Sequence, residues 1–546
     1  MVDEPARVVV KRYALVVEAP SNTDVVEMLQ AQLARATSER DEYARLARLL
    51  REELERVKRG LLGPARERFV AEGQLTLSVL ATALAGASQP APAPEPTLVV
   101  PAHPRKKPTG RCIPENLTQV DLEVVPEEVQ RTGLDAYARI GEDVTEQVER
   151  RAGGLVRVRT VKGKYILKDK AKDEPVEVLV APSPELPIPG GMAGPGLLAE
   201  TVVRRWQDHL PINRQEAMYA RDGWEIPRST MCEWHIRLAT LCDPLVAAMW
   251  KDALEQEVLL TDATGVLVQA KEKCRRAHFF VVVAPKRHAL FRFTLKHNKQ
   301  AVDGFLKGYA GYLVADAHTV YDHLYNGQTP GGATAVECGC WAHCRRYFFK
   351  ALLAQPEMAK TGLALIKPLF DLEREWKNLT PEARLVQRRD HSAPAVDRFY
   401  AWADQLALGV LAETPMAAAL KYATNQRAAL KRFLEDGRIP IHNNDSERAL
   451  RREAVGRKAW LFVGSDDGAF ANATFVSLLA SCQMHGLEPW AYLRDLFILL
   501  PSWPAQRVLE LSPLRWQQTV ARSDVAAKLE AHPHRRVTLG LPPTPG

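Results

Sequence analysis

Between Val258 and Ala317 the chain makes three apolar runs in succession, then a helical segment, then a fourth apolar run. VLLTDATGVLVQ (Val258 to Gln269), HFFVVVAP (His278 to Pro285) and ALFRFTLK (Ala289 to Lys296) each read as a strand, being short, apolar and rich in β-branched and aromatic residues. KQAVDGFLKG then reads as a helix, GYLVADA (Gly311 to Ala317) as a fourth strand, and a further β-like run begins near Ala335. Three strands, a helix and another strand restrict this region to a mixed sheet with helices on its faces.

Two acids fall inside these runs. Asp262 interrupts the first and Asp316 closes the fourth. A carboxylate buried in a strand is costly unless it is paired or bound to a cation. Adjacent strands of one sheet bring two such groups together, and their repulsion favours a divalent metal. A third acid, Glu447, stands in RIPIHNNDSERALRREAVGRKAWLFVG (Arg438 to Gly464), in the first turn of a helix that Asn443, Asn444, Asp445 or Ser446 can cap. Arg448, Arg451, Arg452, Arg457 and Lys458 follow it and suit phosphate neutralisation. Three acids beside this basic helix suit the two-metal chemistry that activates a water or sugar hydroxyl and stabilises the leaving oxygen of a phosphodiester. The bland reading gives each acid its own local hydrogen bond or salt bridge. The ordered set of three favours the metal reading over it.

At 546 residues the chain needs several cores. Its formal charge of +7 permits nucleic acid without demanding it. No apolar run reaches membrane-span length, and the scattered eight cysteines suggest reduced cytosolic thiols rather than a disulfide frame. Leu29, Leu33, Ala36, Arg40, Tyr43, Ala47, Leu50, Leu54, Val57 and Leu61 alternate by four and three places. This predicts a coiled coil over 24–62 that self-associates; an amphipathic helix packed on its own protein is the alternative. A Pro/Ala-rich linker follows at 87–111, ending in the basic Arg105, Lys106, Lys107 and Arg111, which suit a minor-groove arm or simple solvated charge. Residues 112–180 suggest a small β-rich module.

Residues 197–250 read as helices. Gly223 sits where a helix-turn-helix places its turn, and Arg228-Ser229-Thr230 opens the next helix, suited to capping and to DNA contact. Helical packing without DNA contact is the alternative. A catalytic region over 255–480 would then carry a helical insertion at about 350–434, with a final helix at 484–505.

The chain resembles the large transposase subunit of the insertion-sequence-sixty-six family, a family of DDE-type transposases. The resemblance rests on KRGLLGPARERF (Lys58 to Phe69), LPINRQEAMYARDGWEIPRSTMCEW (Leu210 to Trp234), CWAHCRRYFF (Cys340 to Phe349) and GLEPWAYLRDLF (Gly486 to Phe497). It implies a multidomain α/β protein with a ribonuclease-H-like core and helical insertion, behind a coiled coil, a β-rich module and a helix-turn-helix-like segment. It also implies the triad Asp262, Asp316 and Glu447 holding two Mg²⁺ ions (Mn²⁺ as a substitute), with transposon-end and target DNA as partners. Small accessory insertion-sequence proteins and a bacterial, nucleoid-associated cytoplasmic location are implied as well. His343, Arg345 and Arg346 are candidates for DNA contact near the site.

Three departures stand out. Ala263 follows the first aspartate where the family usually has an acid, and His442 replaces the aspartate of its Asp-Asn-Asn. The small module lacks the family's paired CxxC motifs around Leu134 and Tyr165, so no zinc is expected there. On a strand Cys338 and Cys340 would share one face near His343 and Cys344, but that spacing fits no common zinc pattern. Two rival functions remain: a transposase-derived, dimeric DNA-binding protein whose site has decayed at Ala263 and His442, and a related nuclease without strand transfer.

Overall fold

The computed structural model describes residues 113–542, apart from 152–153, 169–176, 272 and 328–333. The heptad seam at 24–62 and the linker at 87–111 lie outside the described residues.

The first sheet contains β1 (Thr118–Val124), β2 (Tyr137–Arg151), β3 (Gly154–Leu167) and β4 (Leu179–Val180). β2 and β3 form a long antiparallel pair, β1 lies parallel to β3 on its other side, and β4 pairs with the end of β3. Alternating charges pair across the strands, as in Arg157–Glu146 at 2.6 Å and Lys164–Asp143 at 2.6 Å. The segments around Leu134 and Tyr165, which carry no cysteine, contribute to a small apolar cluster of Val129, Tyr137 and Tyr165.

This module is tied to the rest by Glu149, which is fully buried. Its Oε1 accepts the backbone N–H of Leu197 at 2.7 Å, in the first turn of helix α1 (Pro195–Trp206). A carboxylate there meets the positive end of the helix. Gly194 leaves room for it, since a Cβ at that position would lie 2.1 Å from Glu149 Oε2.

Helix α2 (Ile212–Arg221) and helix α3 (Arg228–Leu254) follow, with Gly223 between them at φ +90°. The turn is where the sequence put it, and only glycine takes that conformation cheaply. The expected capping at Arg228-Ser229-Thr230 does not occur: Pro227 precedes the helix and no side chain caps it. Helix α3 continues through Pro244 to Leu254. Burial of Leu245, Val246, Met249, Trp250 and Ala253 outweighs the hydrogen bond that the proline removes.

The second sheet holds β5 (Val258–Val268), β6 (Arg275–Ala284), β7 (His288–Thr294), β8 (Tyr312–Val314) and β9 (Val336–Cys338), in the order β7-β6-β5-β8-β9. β5, β6 and β7 are antiparallel hairpin neighbours, whereas β8 and β9 run parallel to β5. Helix α4 (Lys299–Leu306) joins the two halves. Five strands therefore stand where five apolar runs stood. β6 is buried from Phe279 to Ala284, consistent with cover on both faces.

Past β9 the chain enters a helical region: α5 (Trp341–Ala351), α6 (Pro356–Glu375), α7 (Ala393–Ala407) and α8 (Pro415–Asn425). The strand ends at Cys338 and Cys340 precedes α5, so the two thiols do not share a strand face. Helix α9 (Asn444–Trp460) returns to β5, and α10 (Asp466–Met484) covers the β7 edge. In β7 the amides of Ala289 and Phe291 donate to Ser481 and Ser477 of α10, at 3.1 and 2.8 Å. These hydroxyls satisfy edge donors that would otherwise invite another strand. The expected C-terminal helix is α11 (Pro489–Leu499), and further short helices extend to Thr538.

Candidate active site

Leu260 of β5 pairs with Val314 of β8. Asp262 lies two residues along β5 from that pair and Asp316 two residues past the end of β8, and the Asp316 charge acts on the Asp262 carboxyl. Asp262 is half-buried, and its Oδ1 accepts its neighbour Ala263's backbone N–H at 2.7 Å. Asp316 lies just past β8, where its Oδ1 accepts the backbone N–H of His318 at 3.2 Å. Ala317 between them takes φ +62°, a left-handed conformation that costs a residue with a Cβ about 1–2 kcal/mol. The bend turns the chain out of the sheet immediately after the acid.

Glu447 is brought in by a clamp that the sequence did not disclose. Asn443 is fully buried and does not cap α9 with its side chain. Instead its Nδ2 donates to the carbonyl of Thr261, the residue before Asp262, at 2.8 Å. Its backbone N–H reaches Cys340 Sγ at 3.2 Å, and Ser446 Oγ donates to its carbonyl at 2.8 Å. The start of α9 is thereby held against β5. At the other end of the helix, Arg457 donates to Thr264 Oγ1 at 3.0 Å and to the carbonyl of Gly265.

Electrostatics tie the three acids together. Burial pushes the Asp262 carboxyl up to about 7; the Ala263 amide opposes this, the negative charges of Asp316 and Glu447 add to it, and Arg346 opposes it. Glu447 faces one cation, Arg346, and one imidazole, His343. Arg346 Nη2 donates to both of its oxygens, at 3.0 and 3.2 Å, and His343 Nε2 lies 3.6 Å away. Burial and the neighbouring Arg346 lower the His343 pKa, so a neutral imidazole Nε2 accepts from Arg346 Nη1 at 3.2 Å.

With Glu447 turned to Arg346, no group of three or more His, Cys, Asp or Glu side chains among the described residues is arranged to hold a metal ion. As a donor set, three carboxylates suit a hard divalent cation, and the Asp262 pKa, raised first by burial and further by the Asp316 and Glu447 charges, marks a site where a bound cation would favour the ionised form. Cys338, Cys340 and Cys344 are buried in the core, and burial pushes each thiol up, away from the thiolate that a metal requires.

The basic residues divide into two groups. Arg345, Arg448, Arg451 and Lys458 are exposed, with Arg448 3.2 Å from Asp445. Arg228 and Ser229 are exposed at the start of α3, and Arg228 pairs with Glu216 at 3.0 Å. Arg452, by contrast, is half-buried and bonds Gln207 at 2.5 Å and Gln483. Like Arg457, it is engaged within the protein rather than presented to a phosphate. His442 stacks on Phe370 of α6, centroids 6.2 Å apart and planes at 15°. Ala263 packs against the core.

Among the described residues no helix is long and apolar enough to cross a membrane. Residues 190–471, just over half of the chain, match the model of the Transposase IS66 family, and residues 477–514 match the IS66 C-terminal element. Two uncharacterized proteins of Sinorhizobium fredii are similar. The one designated y4hP is 26% identical over 451 residues, covering 78% of this chain and 80% of the relative. The one designated y4qI is 31% identical over 389 residues, covering 68% and 71%. The chain belongs to the IS66 family of transposases.

Proposed function

We propose that this transposase cuts DNA at the ends of its element and joins them to target DNA, using a ribonuclease-H-like core in which Asp262, Asp316 and Glu447 are the catalytic acids. The observation that carries the reading is the shared electrostatics of the three: Asp262 feels both other carboxylates although β5, β8 and α9 are far apart in sequence. The order β7-β6-β5-β8-β9, antiparallel on one side and parallel on the other, supports the core assignment.

Asp262, Asp316 and Glu447 would hold two Mg²⁺ ions, with Mn²⁺ as a substitute. When bound, such ions activate the attacking oxygen and stabilise the leaving oxygen of a phosphodiester. The chain's own residues supply the rest. Asn443 holds the start of α9 against β5, keeping Glu447 beside the aspartates. Arg346 holds the Glu447 side chain in place by donating to both of its oxygens. The exposed Arg448 and Arg451, together with Lys458, Arg345, Arg228 and Ser229, would contact the DNA backbone. Self-association through residues 24–62 and help from small accessory proteins complete the proposal.

The test is Asp316→Asn, assayed on a duplex carrying the terminal repeat that flanks the gene. Mg²⁺-dependent nicking should disappear while binding persists. Undiminished nicking would remove Asp316 from the triad. Wild-type protein that binds and never cuts would favour the decayed DNA-binding reading, and cutting without joined products would favour a nuclease.

A further inference from the structure

A concavity of 760 Å³ opens beside the acids, between α5 and α6. Helix α5 contributes Arg345, Arg346 and Phe349, helix α6 contributes Lys367, Phe370 and Arg374, and Asn444 at the start of α9 completes the wall. Arg346 both lines the groove and bonds Glu447, so groove and acids are contiguous. Four cations face one carboxylate, Asp371, which pairs with Lys367 and with Arg374. Arg345 has no ion-pair partner among the described residues. Phe349 is 60% exposed, although it sits on the helix that buries Trp341 and Phe348. Phe370 is braced from behind by the stacked His442.

We propose that this groove takes an unpaired nucleotide of the DNA strand next to the scissile phosphate, with its base on the Phe349 ring and its phosphate on Arg345. The inference rests on the transposase reading and adds a substrate feature to it. The surplus positive charge selects an anionic partner, and the exposed ring selects one with a flat face to stack. Size decides between duplex and single strand. A cavity of this volume matches a small-molecule site and cannot admit a double helix, whereas a nucleotide splayed out of the stack fits. The reading also gives His442 a role: in place of the family's aspartate, a ring supports the far wall and adds no negative charge beside a phosphate.

The experiment compares two fluorescein-labelled duplexes of the same sequence, one blunt and one forked by a short unpaired tail, titrated with the full chain and followed by anisotropy. Wild type should bind the forked end about tenfold more tightly, the effect of one base stacked on one aromatic ring. Phe349→Ala should collapse that ratio towards one, while Phe349→Trp should keep it. A fluorescent purine analogue in the tail should be quenched by wild type and not by Phe349→Ala. Equal binding of the two duplexes by wild type, or a ratio that survives Phe349→Ala, overturns the groove assignment and leaves the transposase reading intact. Failure to bind either duplex overturns both.

Discussion

Glu453 lies on α9, less than two turns beyond Glu447, and is only 3% exposed. Asn472 Nδ2 donates to its Oε2 at 3.3 Å, and Arg205, Arg452 and Arg457 lie around it. Burial nevertheless wins: it pushes the carboxyl from 4.5 up to about 7, against the Asn472 hydrogen bond and the three arginines. At 1.36 kcal/mol per pH unit that span corresponds to about 3 kcal/mol. A carboxyl raised in the fold favours folding in its protonated form. Its contribution is complete below 4.5, the unfolded value, and is lost as pH rises through about 7. Glu453→Gln keeps the shape and removes the titration. The variant should therefore exceed wild type in stability by about 1 kcal/mol near pH 5 and by about 3 kcal/mol near pH 8. Urea unfolding followed by tryptophan fluorescence across that range measures the difference directly. A difference that does not change with pH would refute the argument. So would a wild type more stable than the variant at pH 8, which would mean that the arginines hold Glu453 ionised and that α9 is anchored by an ion network instead.

Other consequences concern the acids and their supports. Asn443→Ala removes the bond to the Thr261 carbonyl and should cost about 1–3 kcal/mol; its nicking rate should fall further than its DNA affinity, and equal losses would argue against a positioning role. Ala317→Gly relieves the left-handed conformation and should raise stability by about 1 kcal/mol, read as a higher melting temperature. If the acids bind Mg²⁺, the proton held by Asp262 must leave first, so affinity measured by titration calorimetry should rise about tenfold per pH unit below pH 7 and flatten above it. Asp262→Asn should abolish that dependence.

What could be read in the sequence followed from local pattern. Each strand of the second sheet is a short apolar run, and its alternation and flanking turns mark it without knowledge of its neighbours. Asp262 and Asp316 were conspicuous for the same reason: a charge inside an apolar strand needs an explanation. Cys340 was misplaced because a run of apolar residues looks the same in a strand and in the lead-in to a helix, and β9 ends two residues earlier. Arg452 and Arg457 looked like phosphate ligands because charge alone does not say whether an arginine faces water or an amide oxygen. Asn443 shows the same limit from the other side. Its type and place both suit a helix cap, and only the packing of α9 on β5 makes Thr261 the better acceptor.

The pairing of Arg346 with Glu447 links these observations. Three carboxylates left alone beside a half-buried Asp262 would repel one another, and part of that repulsion is already visible in the raised Asp262 pKa. An arginine bonded to both oxygens of one acid removes much of that cost while no metal is bound. The same guanidinium lines the basic groove, so whatever enters the groove competes with Glu447 for it. A DNA phosphate offers Arg346 an alternative partner, and Glu447 released from it has both oxygens free for a divalent cation. Nucleic acid and metal would then favour each other's binding through a single side chain. Arg346→Ala, which lacks the competing cation, should bind the metal with an affinity that no longer responds to DNA.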